Sequence, residues 1–521
     1  MNKTKLAIIT MAVVAVQAAQ AGGISTNTNM SVAFDRTLSH DAVIAIDGVY
    51  FNPAGVVYLN QGYHLSLNWQ YVKQQRQIDN VYYPLFTHNT ENPTANRSFH
   101  GHATAPVLPS IQFALNRGKL SYQAAVGVGG GGGKCTFDNG LGSFEKIVSE
   151  TALAASTLAQ AVDAGLGIPM FSTTQAFGKE GTYSAKSFMR GRQYYYGLSV
   201  GAAYKFNGNV SAFAGVRGVY ALCNYYGYVR DIKVGNMPLY QVLDPTKTGS
   251  ADIELNSDQS GIGFTPILSI DYKTGRWNFA AKYEFKTRLR LKSTSVNQFP
   301  SIGNLSGNLS KAIVANLMKA GLSPEAALNK ATTALTDPKV TAVMGALKQG
   351  FDKGITDATG EYADGKKIPA DLPAILTVGA QYTPIDQLRL NAGFHYYFDK
   401  QARQYNEHNK QLDRGTIEYS FGTEYDANKW LTVSAGYQGT NYGLTDAYMN
   451  DKSFVVSSSS VGGGVAVRLS HKVRLNVAYF HTFYTTKKTD TPSVVGQQTL
   501  SYKADYTRKN DVFGMGVDID F

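Results

Sequence analysis

The chain has 521 residues, a net charge of +11, a pI of about 9.2 and a mean hydropathy of -0.20. No stretch after the N-terminus approaches the ~18 consecutive apolar residues of a membrane-crossing helix, and two cysteines, Cys135 and Cys223, without C-x-x-C spacing do not make a disulfide framework. With 33 Tyr and 52 Gly against 3 Trp the composition is one of strands and turns, and a basic chain without a recognition motif gives no ground for nucleic-acid binding.

In chain order, Lys3 and Lys5, the apolar run 6–16 and Ala19-Gln20-Ala21 are the three parts of a secretory leader, residues 1–21. Asp41 to Leu59 follows, DAVIAIDGVYFNPAGVVYL. It is apolar enough to be buried. It is broken at Asn52-Pro53-Ala54-Gly55, because Pro cannot donate to a strand ladder. Taken alone, the motif is a turn.

From there on the signal is period-two alternation. It predicts strands at 62–78, 106–117, 119–131, 187–206, 209–228, 260–273, 276–292, 373–383, 387–400, 413–425, 428–442, 455–470, 472–486 and 500–521. In the last, Phe513, Met515, Val517, Ile519 and Phe521 share one face. Connections alternate between tight turns, such as Asn207-Gly208 and Thr274-Gly275, and excursions at 135–186, 229–259, 293–371, 400–413, 442–454 and 487–499. Long strands, aromatics near their ends and strictly alternating loop lengths describe an all-β transmembrane antiparallel barrel of about 14 strands. Its lumen leaves room for residues 22–60 as a plug, with 61–521 as the barrel. The loops 135–186 and 293–371 carry helix signals: an Ala-rich run from Ser143 stopping at Gly165, a stop at Gly321, and starts at Ser323-Pro324 and Asp337-Pro338.

Gly129 to Gly133, with Gly127 and Lys134 beside it, invites a phosphate-loop reading that fails on spacing: Val128 and Cys135 stand where Gly and Ser or Thr are required. A glycine run at a strand end marks a bulge, a kink or a close approach; two readings stand, a flexible strand end or a kink that breaks wall pairing and opens the barrel sideways. No nucleophile motif and no metal-ligand spacing among the nine His is present, so no catalytic residue, metal or cofactor is assigned. Lys282, Lys286, Arg288 and Arg290 share the inward face of one predicted strand; Arg217, and Arg190 or Arg192, extend it on neighbours. Two readings stand: ion pairing with Glu284, Glu418 or Glu424, or a cationic rim for a carboxylate head.

Gly22-Gly23-Ile24, Arg36, Asp41-Ala42, Asn52-Pro53-Ala54-Gly55 and the terminal aromatic Phe521 resemble the FadL family of outer-membrane transporters for long-chain fatty acids and aromatic hydrocarbons. The resemblance implies a monomer in the outer membrane of a Gram-negative bacterium, surrounded by lipid and lipopolysaccharide. It implies a hydrophobic ligand, fatty acid or hydrocarbon, that passes a movable N-terminal hatch and leaves sideways at the third strand, where Gly127 to Gly133 lie. The rival is a surface receptor or adhesin using its helical loops; a lipid hydrolase comes third.

Overall fold

The computed structural model describes residues 24–171, 181–243, 250–300, 302–495 and 498–521; the leader expected over 1–21 lies outside them. The wall is a closed antiparallel barrel of 14 strands. They are β1 (Gly62–Tyr82), β2 (Asn96–Arg117), β3 (Leu120–Phe137), β4 (Tyr183–Lys205), β5 (Val210–Val234), β6 (Ile253–Thr274) and β7 (Trp277–Glu284, resuming at Arg290–Ser295). Then follow β8 (Lys367–Pro369, resuming at Ile375–Ile385), β9 (Leu388–Tyr397), β10 (Thr416–Asp426), β11 (Leu431–Asn441), β12 (Ser458–Arg468), β13 (Val473–Tyr484, resuming at Lys487–Val495) and β14 (Gln498–Asp520). β14 closes on β1 from His64↔Asp520 to Tyr82↔Lys503, so no sheet edge is left open.

The outer face explains the closure. Ile262 and Phe264 on β6 are 65% and 66% exposed, and Leu198, Phe421, Tyr479 and Val461 also point outward. An apolar belt of this kind suits hydrocarbon, in which every backbone group must be paired within the wall. Aromatics cluster at the short-turn end of the belt: Tyr63, Tyr122, Tyr204, Trp277, Tyr425 and Trp430. No described helix is long and apolar enough to cross a membrane.

The structure corrects several boundaries. Residues 487–499, expected as a loop, extend the wall instead: β13 and β14 pair there from Lys487↔Tyr506 to Val495↔Gln498. Beyond the apolar belt neither strand face meets lipid, so KKTDTPS carries no alternation to read. β7, expected as one run to 292, is interrupted at 285–289.

Helix α1 (Val32–Thr37) lies inside the barrel; α2 (Gly142–Leu166), α3 (Leu239–Leu243), α4 (Leu305–Lys319), α5 (Pro324–Thr336) and α6 (Pro338–Thr359) belong to the long loops. Ser323 and Asp337 cap α5 and α6 as their sequences predict, each side chain accepting a backbone N–H of the first turn. α2 stops at Gly167, which takes φ +65°, not at Gly165. Gly165 is small for another reason: a Cβ there would come within 3.3 Å of Ala334 on α5, where the two helices touch.

Candidate functional site

Residues 24–61 fill the lumen with mostly irregular backbone, and the wall's side chains satisfy it. Such backbone at membrane depth is stable only when buried in protein and fully bonded. Asn68 Oδ1 accepts from Val32 N–H at 2.9 Å, while Ser110 Oγ and Gln112 Nε2 both donate to Met30 O at 2.7 Å. Across the lumen, Arg36 pairs with Glu424 at 3.0 Å and bonds Ser434. His395 sits between Asp41 at 2.9 Å and Glu418 at 2.7 Å.

Asn52-Pro53-Ala54-Gly55 is a buried turn at the short-turn end. Asn52 Nδ2 donates to Asp271 on β6 at 2.6 Å, and its Oδ1 accepts from Gly55 N–H at 3.2 Å. Gln123 on β3 and Ser211 on β5 each donate at 2.7 Å to Pro53 O and Ala54 O. Ala54 packs with Val57, Ala203, Phe213 and Ile267. One motif is thus pinned to three strands, and none of its hydrogen bonds among the described residues reaches the glycine run.

The glycine run coincides with a break in the wall. β2 and β3 pair up to Ser110↔Gly127 and again from Thr104↔Lys134, leaving 105–109 opposite 128–133 without ladder bonds. Both strands contribute. Pro106 and Pro109 have no N–H to give. Gly131 and Gly132 take φ +67° and +111°, a region that excludes other residues at little cost only to glycine. The β3–β4 register shifts twice across the same stretch. Gly127 itself is regularly paired; its role is clearance, since a Cβ would lie 2.5 Å from Met30 Cε.

Asn27 fills the break. Its N–H donates to Gly129 O at 3.0 Å, and its Nδ2 donates to Val128 O at 3.1 Å and Gly131 O at 3.0 Å. Carbonyls that β2 leaves bare are met by one side chain of the inner segment. Behind it Met30 packs with Val72, Ala105, Leu108 and Val128. Asn27, Pro106 and Pro109 were not marked by the sequence reading. The two prolines inside a predicted strand were the available signal.

The basic residues divide. Arg217 faces inward but is engaged, with both guanidinium ends on Glu284 at 2.6 and 3.2 Å and its Cζ 4.9 Å from the Tyr50 ring. Lys282 joins the same group, 2.9 Å from Glu284 and 2.7 Å from Tyr50 O. Arg192 points outward, because the buried face of β4 carries Gln193, Tyr195 and Ser199. Arg288 and Arg290 are also turned outward, contrary to the expected parity. The interruption at 285–289 slips the alternation, so that Thr287, Leu289 and Leu291 follow Lys282 and Glu284 on the inner face. Lys286 and Arg290 converge on buried Asp371, at 3.8 and 2.8 Å, which also accepts from Leu289 N–H. They clamp the interruption in place.

Over the long-loop mouth, α2, α4 and α6 pack around a tight apolar pocket lined by Leu158, Val162, Leu305, Leu309, Leu347 and Phe351. Beside this cap Lys452 is buried, and desolvation holds its amine down to about 7 against the pull of Asp451 and Glu361. Cys135 and Cys223 are free and buried. No metal-competent cluster occurs among the described residues.

No protein-family model and no curated protein matches the sequence. Solved structures do match its fold. A FadL homologue from Pseudomonas aeruginosa superposes with a TM-score of 0.60 at 13% identity, over 96% of this chain and 100% of that one. The toluene transporter TbuX of Ralstonia pickettii gives 0.50 at 13% identity over 96% and 99%. The toluene transporter TodX of Pseudomonas putida gives 0.50 at 12% identity over 96% and 100%. The chain has the FadL-type fold, that of an outer-membrane β-barrel, and these structural neighbours are transport channels.

Proposed function

We propose that the protein is a FadL-family uptake channel for hydrophobic small molecules in the outer membrane of a Gram-negative bacterium, with long-chain fatty acids as its main cargo. The observation that carries this reading is the break between β2 and β3 closed by Asn27. A channel for sugars or ions would need an open aqueous lumen, whereas here the lumen is filled and the β2–β3 ladder is missing where Asn27 crosses it. Residues 24–60 act as a hatch. Ligand collects in the apolar pocket of the cap, descends to the hatch, and leaves through the break once residues 24–30 move.

The energetics favour a sideways exit. Burial of an acyl chain contributes roughly 0.8 kcal/mol per CH₂, so about fourteen methylenes contribute on the order of 10 kcal/mol before ordering costs. Release into periplasmic water forfeits most of this, while release into lipid does not.

The test is uptake of labelled hexadecanoate by cells lacking their own such channel and expressing this one. Wild-type barrel should accelerate uptake over empty vector. Gly130→Val, whose Cβ would stand 2.3 Å from Ser25 O, should displace residues 24–30 and change the rate without loss of the folded barrel. Uptake equal to empty vector for the wild type would refute the reading.

A further inference from the structure

We propose that Lys134, Arg190 and Arg192 form a phosphate-binding site for lipopolysaccharide on the outer face of the wall, at the long-loop edge of the apolar belt. The inference uses the outer-membrane placement of the barrel and is independent of what the lumen carries. The long loops of such barrels face the cell exterior. The lipid at this edge is therefore the lipopolysaccharide of the outer leaflet, whose acyl chains hang from a sugar head that bears phosphates.

β4 gives the height. Its outward side chains run Tyr204, Ala202, Val200, Leu198, Tyr196 and Tyr194, and the next one is Arg192. From Tyr204 to Tyr194 the strand covers ~33 Å at about 3.3 Å per residue, which at a tilt of roughly 40° is about 25 Å across the membrane. That is the height of an apolar belt, so Arg192 is the first charge beyond it. Tyr194 and Tyr196 stack at 5.6 Å just beneath, where amphipathic rings sit at the head-group level.

Three cations meet at this edge. Lys134 on β3 and Arg192 on β4 are direct cross-strand partners, and Arg190 stands opposite Thr136, the next outward residue along β3. Lys134 and Arg192 are exposed, while the Cζ of half-buried Arg190 lies 5.3 Å from the Tyr226 ring. Like charges directly opposite one another weaken a strand pair. Among the described residues none of the three has a carboxylate partner. Other outward cations beyond the belt do: Lys186 holds Asp231 at 2.9 Å, and Arg230 holds Glu254 at 2.6 Å. Lys73, at the β1–β14 edge, stands opposite Asp511. Asp258, two strands from Arg192 in the same row, already accepts from Asn224 between them at 2.8 Å.

A phosphate supplies what this cluster lacks. Its oxygens take parallel N–H bonds from a guanidinium fork and the point charge of a lysine. The acyl chains below it then lie over Tyr196, Leu198 and Val126, all exposed on the belt. Lys134 is also where the β2–β3 ladder resumes beyond the break, so the bound lipid borders that gap from outside.

The test is binding of bisphosphorylated lipid A to the purified full-length barrel in nonionic detergent, with divalent cations chelated so that they cannot bridge. Dephosphorylated lipid A and phosphatidylglycerol serve as comparisons. Wild type should bind the bisphosphorylated form at least about tenfold more tightly than either, as expected for charge-assisted bonds to phosphate. Combining Lys134→Gln with Arg192→Gln should remove that preference while binding of dephosphorylated lipid A stays unchanged, which also reports that the barrel is folded. Lys186→Gln with Arg230→Gln, which removes paired cations on the same wall, should leave the preference intact. Equal affinity of the wild type for the two forms of lipid A, or a preference that survives the loss of Lys134 and Arg192, would overturn the proposal. Phosphatidylglycerol bound as tightly as bisphosphorylated lipid A would overturn it too, by showing a surface open to any anionic lipid.

Discussion

The two ends of the inner segment are held in different ways. Residues 41–59 are tied to β3, β5, β6, β7 and β9: His395, Asn278, Lys282, Asp271, Gln123 and Ser211 each bond one part of it. The wall behind those anchors is regularly paired on either side. Among the described residues the wall partners of 27–32 lie on β1, β2 and β3, and Asn27 is bonded to strand carbonyls left without ladder partners by the break; two hydrogen bonds, Tyr50 Oη to Asn27 O and Ser31 Oγ to Asp47, join this end to the other. One end is a seal distributed over the barrel. The other is a strap over a local defect, whose release breaks its bonds to Tyr50 and Asp47 but none of the wall anchors of 41–59 named above. Low local stability of this kind is where moving elements are drawn from.

The comparison can be broken at several points. Among the described residues Arg36→Met leaves Glu424 with the long 3.4 Å contact to Arg389, so a loss of about 3–5 kcal/mol in thermal stability is expected, read as a lower melting transition of the purified barrel. Asn27→Ala removes two side-chain hydrogen bonds at roughly 1 kcal/mol each and keeps the backbone one, about thirtyfold in the population of the released strap. Hydrogen exchange at 25–31 should rise accordingly while that at 41–59 stays put. Asn52→Ala, by contrast, should lower stability by about 1–2 kcal/mol without altering exchange at 25–31. If Asn52→Ala frees the strap as well, the two ends are one unit and the distinction fails.

The smallest effects separate the glycines. Gly131→Ala is strained at φ +67° with Gln193 O 2.4 Å from the new Cβ, so a loss of about 1–2 kcal/mol is expected. Gly129 has open space where a Cβ would go, and Gly129→Ala should change stability by less than about 0.5 kcal/mol. Equal effects would show that the run is merely flexible.

The wall was legible in the sequence where lipid faced one side of a strand, as on β14 from Phe513 to Val517. It faded where β13 and β14 rise beyond the belt and both faces are polar. Inward and outward assignments failed after 285 because a single interruption of β7 inverts the parity of everything that follows, and Arg288 and Arg290 were placed with Lys282 on that account. Arg192 failed for a similar reason of phase. The hatch motif and the glycine run were both visible as local signals. Their relation was not, because the partner of the glycine run is Asn27, a residue ordinary in its own neighbourhood and joined to Val128 and Gly131 only through the closed barrel.

The most direct measurement is uptake of hexadecanoate through the double variant Asn27→Cys with Gly129→Cys, two positions joined by a backbone hydrogen bond, the second with room for a side chain. Oxidised, the cross-link ties the strap to β3, and uptake should fall to the level of empty vector while binding of hexadecanoate at the cell surface persists; reduction should restore transport. Unimpaired uptake through the oxidised barrel would contradict a sideways exit between β2 and β3.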